Sequence, residues 1–305
     1  DIVGTVKDKG ITILNEKEII VENYIVPDKI KTRNYYLDSN IKYPIRNDNL
    51  ILQNKNNYIL DNLITNTLSN LAVGSKRFLT NKVDRSVTGL IAQQQCVGPF
   101  HTPLSNYGLI SQSYFKNNKG YFSGCVTSIG EQPIFGLVDP ISMVHKTVAE
   151  MLTNLMWVVI DNKIRCSANW MWPLPNKDKK EGYKMYIAAK ELSDLLIKLN
   201  IAIDGGKDSL SMAVNYKDKM VKSPGSLVLS AYASCPNIYK KVTPDLKCKD
   251  SILLFIDINH NNKSRIGGST FLKDDIYYKP PKIDNIEKLN SAFKIVQYLI
   301  NENMI

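Results

Sequence analysis

One carboxylate and one amide lie four positions apart in a segment whose apolar residues recur with a helical period. On a helix, Glu150 and Asn154 would project from neighbouring points about 5 to 6 Å apart, away from the apolar side. A carboxylate oxygen and an amide oxygen suit a hard cation such as Mg²⁺, which keeps waters and bridges to phosphates. From spacing alone, however, an exposed Glu and Asn on a solvated helix face is the favoured interpretation.

A glycine-rich segment at residues 204–211 follows a short apolar run. Its two glycines allow close backbone approach, while Lys207 and the hydroxyls of Ser209 and Ser211 could meet an anion. The segment is not a P-loop, because four residues between the glycines and a Ser or Thr directly after the Lys are both absent. A hairpin or bulge turn explains the same pattern equally well.

The other residue types that could do chemistry give weaker signals. Two tryptophans flank Met171 in the segment 166–173, beside Asn169, and this segment must pack on something because Trp is costly to expose. Core packing is favoured there over a ligand wall. The three histidines lie far apart, which argues against a zinc site, and no nucleophile elbow is present.

Two helices and several strands would position these residues. Apolar residues fill one side of predicted helices at 141–160 and 183–199. Strand-like runs lie at 88–97, 107–113 and 226–235. Strands interspersed with long helices are typical of an α+β layer in which helices cover one side of a sheet.

The flanking regions have less regular patterns. Residues 1–25 suggest a strand pair, and residues 27–57, rich in Asn, Lys, Asp and Tyr, suggest a linker over a surface. A short helix is predicted at 62–71, another β run at 251–258 and an amphipathic helix at 286–300.

Composition places the chain among ordinary soluble proteins. Its 305 residues suggest roughly two domains, and 44% hydrophobic with 22% charged residues argue against wholesale disorder. The longest purely apolar stretch, 155–160, is far short of the roughly 20 residues that span a bilayer, so no membrane association is expected. Because the first residue is Asp1 rather than Met, the chain is expected to be a piece of a longer protein.

Cysteine usage and charge suggest an intracellular protein without nucleic-acid binding. Five cysteines without a C-x-x-C pair suggest reduced, buried thiols in the cytosol. The net charge of +10 could attract phosphate-bearing partners. Yet Lys recurs beside Asn in loops without an Arg or aromatic stripe, so a plain solvated surface is favoured over a nucleic-acid-binding module.

Several motifs in one order resemble a known family. Residues 73–104, VGSKRFLTNKVDRSVTGLIAQQQCVGPFHTPL, resemble the large, single-chain formylglycinamide ribonucleotide amidotransferases, also called phosphoribosylformylglycinamidine synthases. Six further blocks resemble that family in its order: IGEQP at 129–133, AEMLTN at 149–154, SANWMW at 167–172, DGGKDSLSM at 204–212, PGSLVLSAYA at 224–233 and VTPDL at 242–246. The resemblance is strong from about residue 74 to residue 246.

The resemblance implies an activity and an architecture. Such enzymes are ligases that use glutamine and ATP to convert formylglycinamide ribonucleotide into the formylglycinamidine, in purine synthesis. Their synthetase part is a pseudo-dimer of halves that each resemble aminoimidazole ribonucleotide synthetase. The implied fold is an α+β sheet domain with helices on one face plus a truncated second α/β domain. The implied segments are the end of the preceding half at 1–26, a linker at 27–74, the sheet domain at 75–246 and the start of the next domain at 247–305.

The resemblance also implies an auxiliary site for ATP or ADP with Mg²⁺. Glu150 and Asn154 match the family's metal-binding Glu and Asn, which reverses the preference stated from spacing alone. A third metal ligand, an Asp in the family, falls at Asn106, which still offers a carbonyl oxygen but no charge. Ser105 and Lys76 match positions near the nucleotide.

A second group is implied to face the catalytic site across the pseudo-dimer. Gly206 would lie near the nucleotide and Ser209 near the substrate phosphate, with Asp208 and Asn169 in the same group. Smaller relatives carry a metal-binding Asn where this chain has Lys207, so Lys207 is expected to make a cationic contact to phosphate instead.

The implied partners are the substrate formylglycinamide ribonucleotide and the rest of the same polypeptide, namely the first synthetase half and the glutaminase domain. No membrane and no nucleic acid are expected, and the location is expected to be cytoplasmic. The family's catalytic His and glutaminase Cys fall outside these residues, so the isolated chain is expected to be inactive. The alternative within the same fold is a nucleotide-stabilised scaffold that orients the catalytic half.

Overall fold

The computed structural model divides the chain into two compact units, Asp1–Tyr36 and Leu37–Ile305. It describes residues 11–15, 18–24, 38–41, 45, 57–80, 85, 89–161, 163–175, 177–258, 265–272 and 276–305. In the first unit, β1 (Ile11–Asn15) pairs antiparallel with β2 (Glu18–Tyr24), which confirms the predicted strand pair. Most of the predicted linker up to residue 56 lies outside the described residues.

The second unit contains a six-stranded sheet. Its strands are β3 (Ile91–Gln93), β4 (Tyr107–Ser111), β5 (Gly124–Glu131), β6 (Arg165–Met171), β7 (Ala202–Ser209) and β10 (Ser226–Cys235), in the order β3-β4-β5-β10-β6-β7. All neighbours are antiparallel except β6 and β7, which run parallel. A separate hairpin joins β8 (Ala213–Tyr216) to β9 (Lys219–Lys222).

The helices of the described residues are α1 (Asn57–Leu68), α2 (Arg77–Thr80), α3 (Pro133–Val138), α4 (Pro140–Leu155), α5 (Lys179–Leu199) and α6 (Ile286–Asn301). The Asp139 side chain accepts hydrogen bonds from the first turn of α4, and Asp178 does the same for α5. The three helices predicted at 141–160, 183–199 and 286–300 are therefore confirmed, with α4 ending at Leu155 rather than at residue 160.

The sheet has one face covered by helices, as expected for the α+β fold. Successive side chains of a strand point to opposite faces, and in β10 the side chains of Leu227, Leu229 and Ala231 are buried while those between them are half-buried. The buried set joins the apolar faces of α4, α5 and α6 in one hydrophobic core. Thus the opposite face of the sheet remains accessible in the described part of the chain.

The ends of the second unit differ from the sequence-based expectations. Residues 251–258, predicted as a β run, form no strand, and most of their apolar side chains are exposed. This prediction is wrong, because an isolated extended segment gains no ladder hydrogen bonds. The next element, α6, packs its buried residues, among them Leu289 and Val296, into the core of the sheet domain. The domain boundary near residue 247 stays a prediction.

Candidate functional site

Helix α4 approaches strand β5 very closely at Gly130. A Cβ atom at Gly130 would lie 2.1 Å from the Thr147 carbonyl oxygen and 2.8 Å from the Met151 nitrogen. Beside it, the buried Ser128 Oγ donates a hydrogen bond of 2.8 Å to the Met151 carbonyl oxygen. Glycine therefore sets the distance between strand and helix, and brings the next turn of α4 against the end of β5.

Glu150 and Asn154 bind the backbone near the C-terminal end of β5. Glu150 Oε2 accepts hydrogen bonds of 2.8 Å from the Glu131 nitrogen and from Gln132 Nε2. Asn154 Nδ2 donates 2.9 Å to the Ile129 carbonyl oxygen. Because these bonds fix the two side chains, the oxygens that could ligate a cation are Glu150 Oε1 and Asn154 Oδ1.

Four of the predicted site residues meet in one cleft. Ser105, Asn106, Glu150 and Asn154 line a cleft of about 560 Å³ next to β4 and β5. The buried Ser105 donates its backbone N–H to the Gln95 carbonyl oxygen at 2.6 Å and its hydroxyl to the Tyr107 carbonyl oxygen. The Asn106 side chain is exposed. Residues more than 40 positions apart thus converge as the metal and nucleotide prediction requires.

Lys76 does not line this cleft. It is half-buried just before α2, and its carbonyl oxygen accepts hydrogen bonds from Leu79 and Thr80. The end of α2 is tied to the cleft wall, because Gln95 Nε2 donates 3.1 Å to the Thr80 carbonyl oxygen. Lys76 therefore precedes a short helix whose other end is hydrogen-bonded to the cleft wall. Its contact with a nucleotide stays a prediction.

The donor set of the cleft fits a hydrated cation that shares its ligands with phosphate. The three predicted ligands Glu150, Asn154 and Asn106 offer one carboxylate and two amide oxygens, and Glu131 adds a second carboxylate to the lining. In the described part of the chain, no three His, Cys, Asp or Glu residues form a group that could hold a metal ion. A closed protein cage is thus absent there, and a Mg²⁺ that keeps waters and phosphate oxygens suits the three residues present.

The glycine-rich segment lies in the edge strand β7, so the interpretation as a hairpin turn is wrong. The register pairs Gly206 with Ala168, Lys207 with Asn169 and Ser209 with Met171. It shifts by one residue at Asp204, which confirms the alternative interpretation of a bulge. Parallel pairing to β6 supplies the backbone hydrogen bonds of this segment.

This second cluster is open to solvent. Gly206, Lys207 and Asp208 are exposed, and Lys207 Nζ donates 2.6 Å to Ser209 Oγ. Three strand spacings separate β5 from β7, about 14 Å in all. The structure therefore gathers Gly206, Lys207, Ser209 and Asn169 in one place, and keeps them apart from the cleft that contains Glu150.

The cysteines of the described chain give no candidate nucleophile in the core. Burial raises the pKa of Cys166 and that of Cys235 to about 11, so the reactive thiolate is scarce near neutral pH. Cys96 is buried as well, while Cys125 and Cys248 are exposed. The expected burial of cysteines holds for three of the five.

Sequence reasoning missed three residues that shape the cleft, namely Arg85, Gln95 and Gln132. Arg85 and Gln95 line it directly, and Gln132 holds Glu150. All three lie in or beside motifs that suggested the family, but a lone Arg or Gln has no spacing signal of its own. Only the fold shows what these side chains face.

Comparison with known proteins gives a consistent assignment. The family described as the FGAR-AT PurM_N-like domain matches residues 75–234, just over half of the chain. The chain is 47% identical over 256 residues to phosphoribosylformylglycinamidine synthase of Drosophila melanogaster, covering 81% of this chain and 18% of that protein. The enzyme of the same name in Dictyostelium discoideum is 46% identical over 252 residues, with 77% and 18% covered.

One solved structure with a similar chain is that of PurLQS from Thermotoga maritima, with a TM-score of 0.41, 15% identity, and 56% of this chain and 25% of that chain covered. The chain spans about a fifth of the length of the curated relatives it matches. From the match over residues 75–234, the chain belongs to the FGAR-AT PurM_N-like domain family.

Proposed function

We propose that the chain is part of the synthetase region of a phosphoribosylformylglycinamidine synthase. This C–N ligase would use ATP and glutamine to convert formylglycinamide ribonucleotide into formylglycinamidine ribonucleotide in purine biosynthesis, in the cytoplasm. Its partners would be the rest of the same polypeptide, with a first synthetase half and a glutaminase domain. The family match and the two relatives with that name support the proposal.

The part of this function assigned to the cleft is binding of ATP or ADP with Mg²⁺. The observation that carries it is the convergence of Ser105, Asn106, Glu150 and Asn154 on one cleft. Glu150, Asn154 and Asn106 would hold the cation, and Ser105 would place its backbone beside the nucleotide. When bound, Mg²⁺ supplies charge neutralisation at the phosphates. The protein supplies a fixed carboxylate, because Glu150 Oε2 is already held by β5 and Gln132.

The β7 cluster is proposed to serve the catalytic site formed with the other half of the enzyme. Gly206 would lie near the nucleotide, and Ser209 and Asp208 would provide polar contacts next to Asn169. Lys207 would act as a point charge towards a phosphate. Its hydrogen bond to Ser209 Oγ already holds the ammonium group near the proposed phosphate position.

A second candidate function is that of a nucleotide-stabilised scaffold without a direct part in turnover. It is favoured by the bonds of Glu150 and Asn154 to β5, since these side chains join α4 to the sheet whether or not a cation is present. In the full-length enzyme, Glu150→Gln distinguishes the two functions. A folded variant that has lost turnover excludes a purely structural role.

The cleft is tested by thermal unfolding of this chain with ADP and Mg²⁺. A ligand at about 100 times its Kd stabilises the folded state by about 2.7 kcal/mol. Glu150→Gln keeps an oxygen that can accept from the Glu131 nitrogen but removes the charge. We therefore expect an unchanged unliganded midpoint and loss of the Mg²⁺-dependent part of the shift.

Glu287→Gln is the matched control, because Glu287 lies in the first turn of α6 and does not line the cleft. It should retain the full shift with ADP and Mg²⁺. Equal shifts for the wild type and for Glu150→Gln would exclude Glu150 as a metal ligand.

A further inference from the structure

Arg85 has an unused donor in the wall of the cleft. Its side chain lines the same cavity as Ser105, Asn106, Glu150 and Asn154. Its Nη1 atom is shielded from solvent and has no hydrogen-bond partner among the described residues. Since buried polar groups are nearly always paired in folded proteins, an orphaned guanidinium nitrogen at a cavity wall indicates a missing partner.

The charges around the cleft limit the nature of that partner. Among the described residues that line it, Arg85 is the only cation, Glu131 and Glu150 are the only carboxylates, and the others are neutral. No ion pair links Arg85 to either carboxylate in the described part of the chain. The planar guanidinium presents paired N–H donors that match the oxygens of a phosphate group.

We propose that Arg85 binds a phosphate group of the nucleotide in this cleft and that this contact does not depend on the metal. The inference rests on the proposed nucleotide site and adds a residue to it. Of the three proposed metal ligands, only Glu150 carries a charge, since Asn106 and Asn154 are neutral amides. A cation held by one charged ligand leaves much of the phosphate charge uncompensated, and Arg85 compensates it from the protein.

Isothermal titration of the 305-residue chain with ADP tests the contact, once with Mg²⁺ and once with EDTA. Because a hydrogen bond to a charged group contributes about 1.5 to 3 kcal/mol, Arg85→Gln should weaken ADP binding about tenfold or more in both conditions. Arg85→Lys keeps the charge but loses the paired N–H donors of the guanidinium, so its ADP affinity should lie between those of the wild type and Arg85→Gln. Adenosine, which lacks phosphate, should bind the wild type and Arg85→Gln equally.

Arg165→Gln is the control, because Arg165 is an exposed arginine in β6 that does not line the cleft. It should leave ADP affinity unchanged, and unfolding midpoints check that every variant is folded. If Arg85→Gln unfolds, Arg85→Lys carries the comparison. Equal ADP affinity of the wild type and the folded Arg85 variants overturns the Arg85 contact and leaves the nucleotide site standing. If the wild type binds neither ADP nor inorganic pyrophosphate, the contact and the nucleotide site are overturned together.

Discussion

Gly205 and Gly206 are adjacent in β7 but differ in the space around them. A Cβ atom on Gly206 would lie 2.1 Å from the Ala168 carbonyl oxygen, and its φ of 153° is one that L side chains rarely adopt. A Cβ atom on Gly205 would meet nothing closer than Ser167 Oγ at 3.8 Å. Only the second glycine of the pair is therefore required by the fold.

We expect Gly206→Ala to lower the free energy of unfolding by about 1 to 3 kcal/mol, because a strained backbone and a clash with β6 add together. Gly205→Ala, an exposed change in open space, should stay within about 0.5 kcal/mol of the wild type. Urea unfolding of both variants measures the difference. Equal stability of the two would contradict the assigned register of β7 on β6.

The site residues show how far residue types alone can lead. The spacing of Glu150 and Asn154 predicted that both lie on one helix face, and α4 places them so. Their oxygens face a cleft together with Asn106 because α4 approaches β5 closely at Gly130. The spacing of residues in the sequence gives no information on that approach. Arg85 could not be predicted, because a lone Arg has no spacing signal, and what marks it is an Nη1 atom without a hydrogen-bond partner among the described residues.

Among the elements, β10 was predictable from its hydrophobic pattern, whereas β5 was not. β10 alternates Leu, Leu and Ala inward and was predicted with the bounds Ser226–Cys235. β5 alternates just as regularly, but its buried face consists of Gly124, Val126, Ser128 and Gly130, so it has no hydrophobic period. The small residues admit α4, and the same property hides the strand from pattern analysis.

β7 was missed for a different reason. Its residues are almost all exposed, and it forms because β6 offers a parallel edge. Neither burial nor alternation marks such a strand in the sequence. Its chemistry-bearing residues suggested a contact with an anion or a turn, and only the register shows that they lie on the edge of the sheet.

The start of α4 depends on Asp139, which caps the helix that carries Glu150. Burial raises the pKa of Asp139, but the hydrogen bond from the Ser142 hydroxyl and the ion pair with Lys282 outweigh it, so the pKa lies below its usual value. A depressed carboxyl pKa contributes stability that is present above the unfolded-state pKa and is lost as pH falls through the folded-state pKa.

At neutral pH we expect Asp139→Ala to cost about 0.5 to 2 kcal/mol, as for other lost helix caps. Asp139→Asn, which still caps but has no charge, should cost less. The gap between the wild type and Asp139→Asn should shrink as pH falls below about 4, near the unfolded-state pKa of Asp. Urea unfolding at neutral and acidic pH measures it, with the exposed Asp161→Asn as control. A gap that does not depend on pH would show that the charge of Asp139 does not contribute to the stability of the cap.

At the scale of the whole molecule, several cations of the described residues have a carboxylate partner, as in the pairs Lys184–Glu181, Lys190–Asp194, Lys222–Asp178 and Arg265–Asp284. The net charge of +10 already counts these carboxylates, so the ion pairs do not reduce the excess of positive charge. No described helix is long and apolar enough to cross a membrane.

The two candidate sites lie on one sheet but do not form one active site. The cleft is beside β4 and β5, while the Gly206 cluster lies at the far edge, on β7. That cluster is exposed, and reactive phosphorylated intermediates need a setting from which water is excluded. By geometry, this chain provides the cleft proposed to bind a nucleotide and one wall of the proposed second site.

We therefore expect the isolated chain to bind ADP with Mg²⁺ and yet to make no formylglycinamidine ribonucleotide from formylglycinamide ribonucleotide, ATP and ammonium chloride. Ammonium chloride replaces the ammonia that a glutaminase would supply, so a missing glutaminase cannot account for the result. The measurement is substrate-dependent release of ADP, with the full-length enzyme assayed in parallel. Because Lys207 is exposed and Ser209 is only half-buried, water competes for the contacts they could make with a phosphate. Substrate-dependent ADP release by the isolated chain would show that the exposed β7 cluster is a complete active site, against the separation argued above.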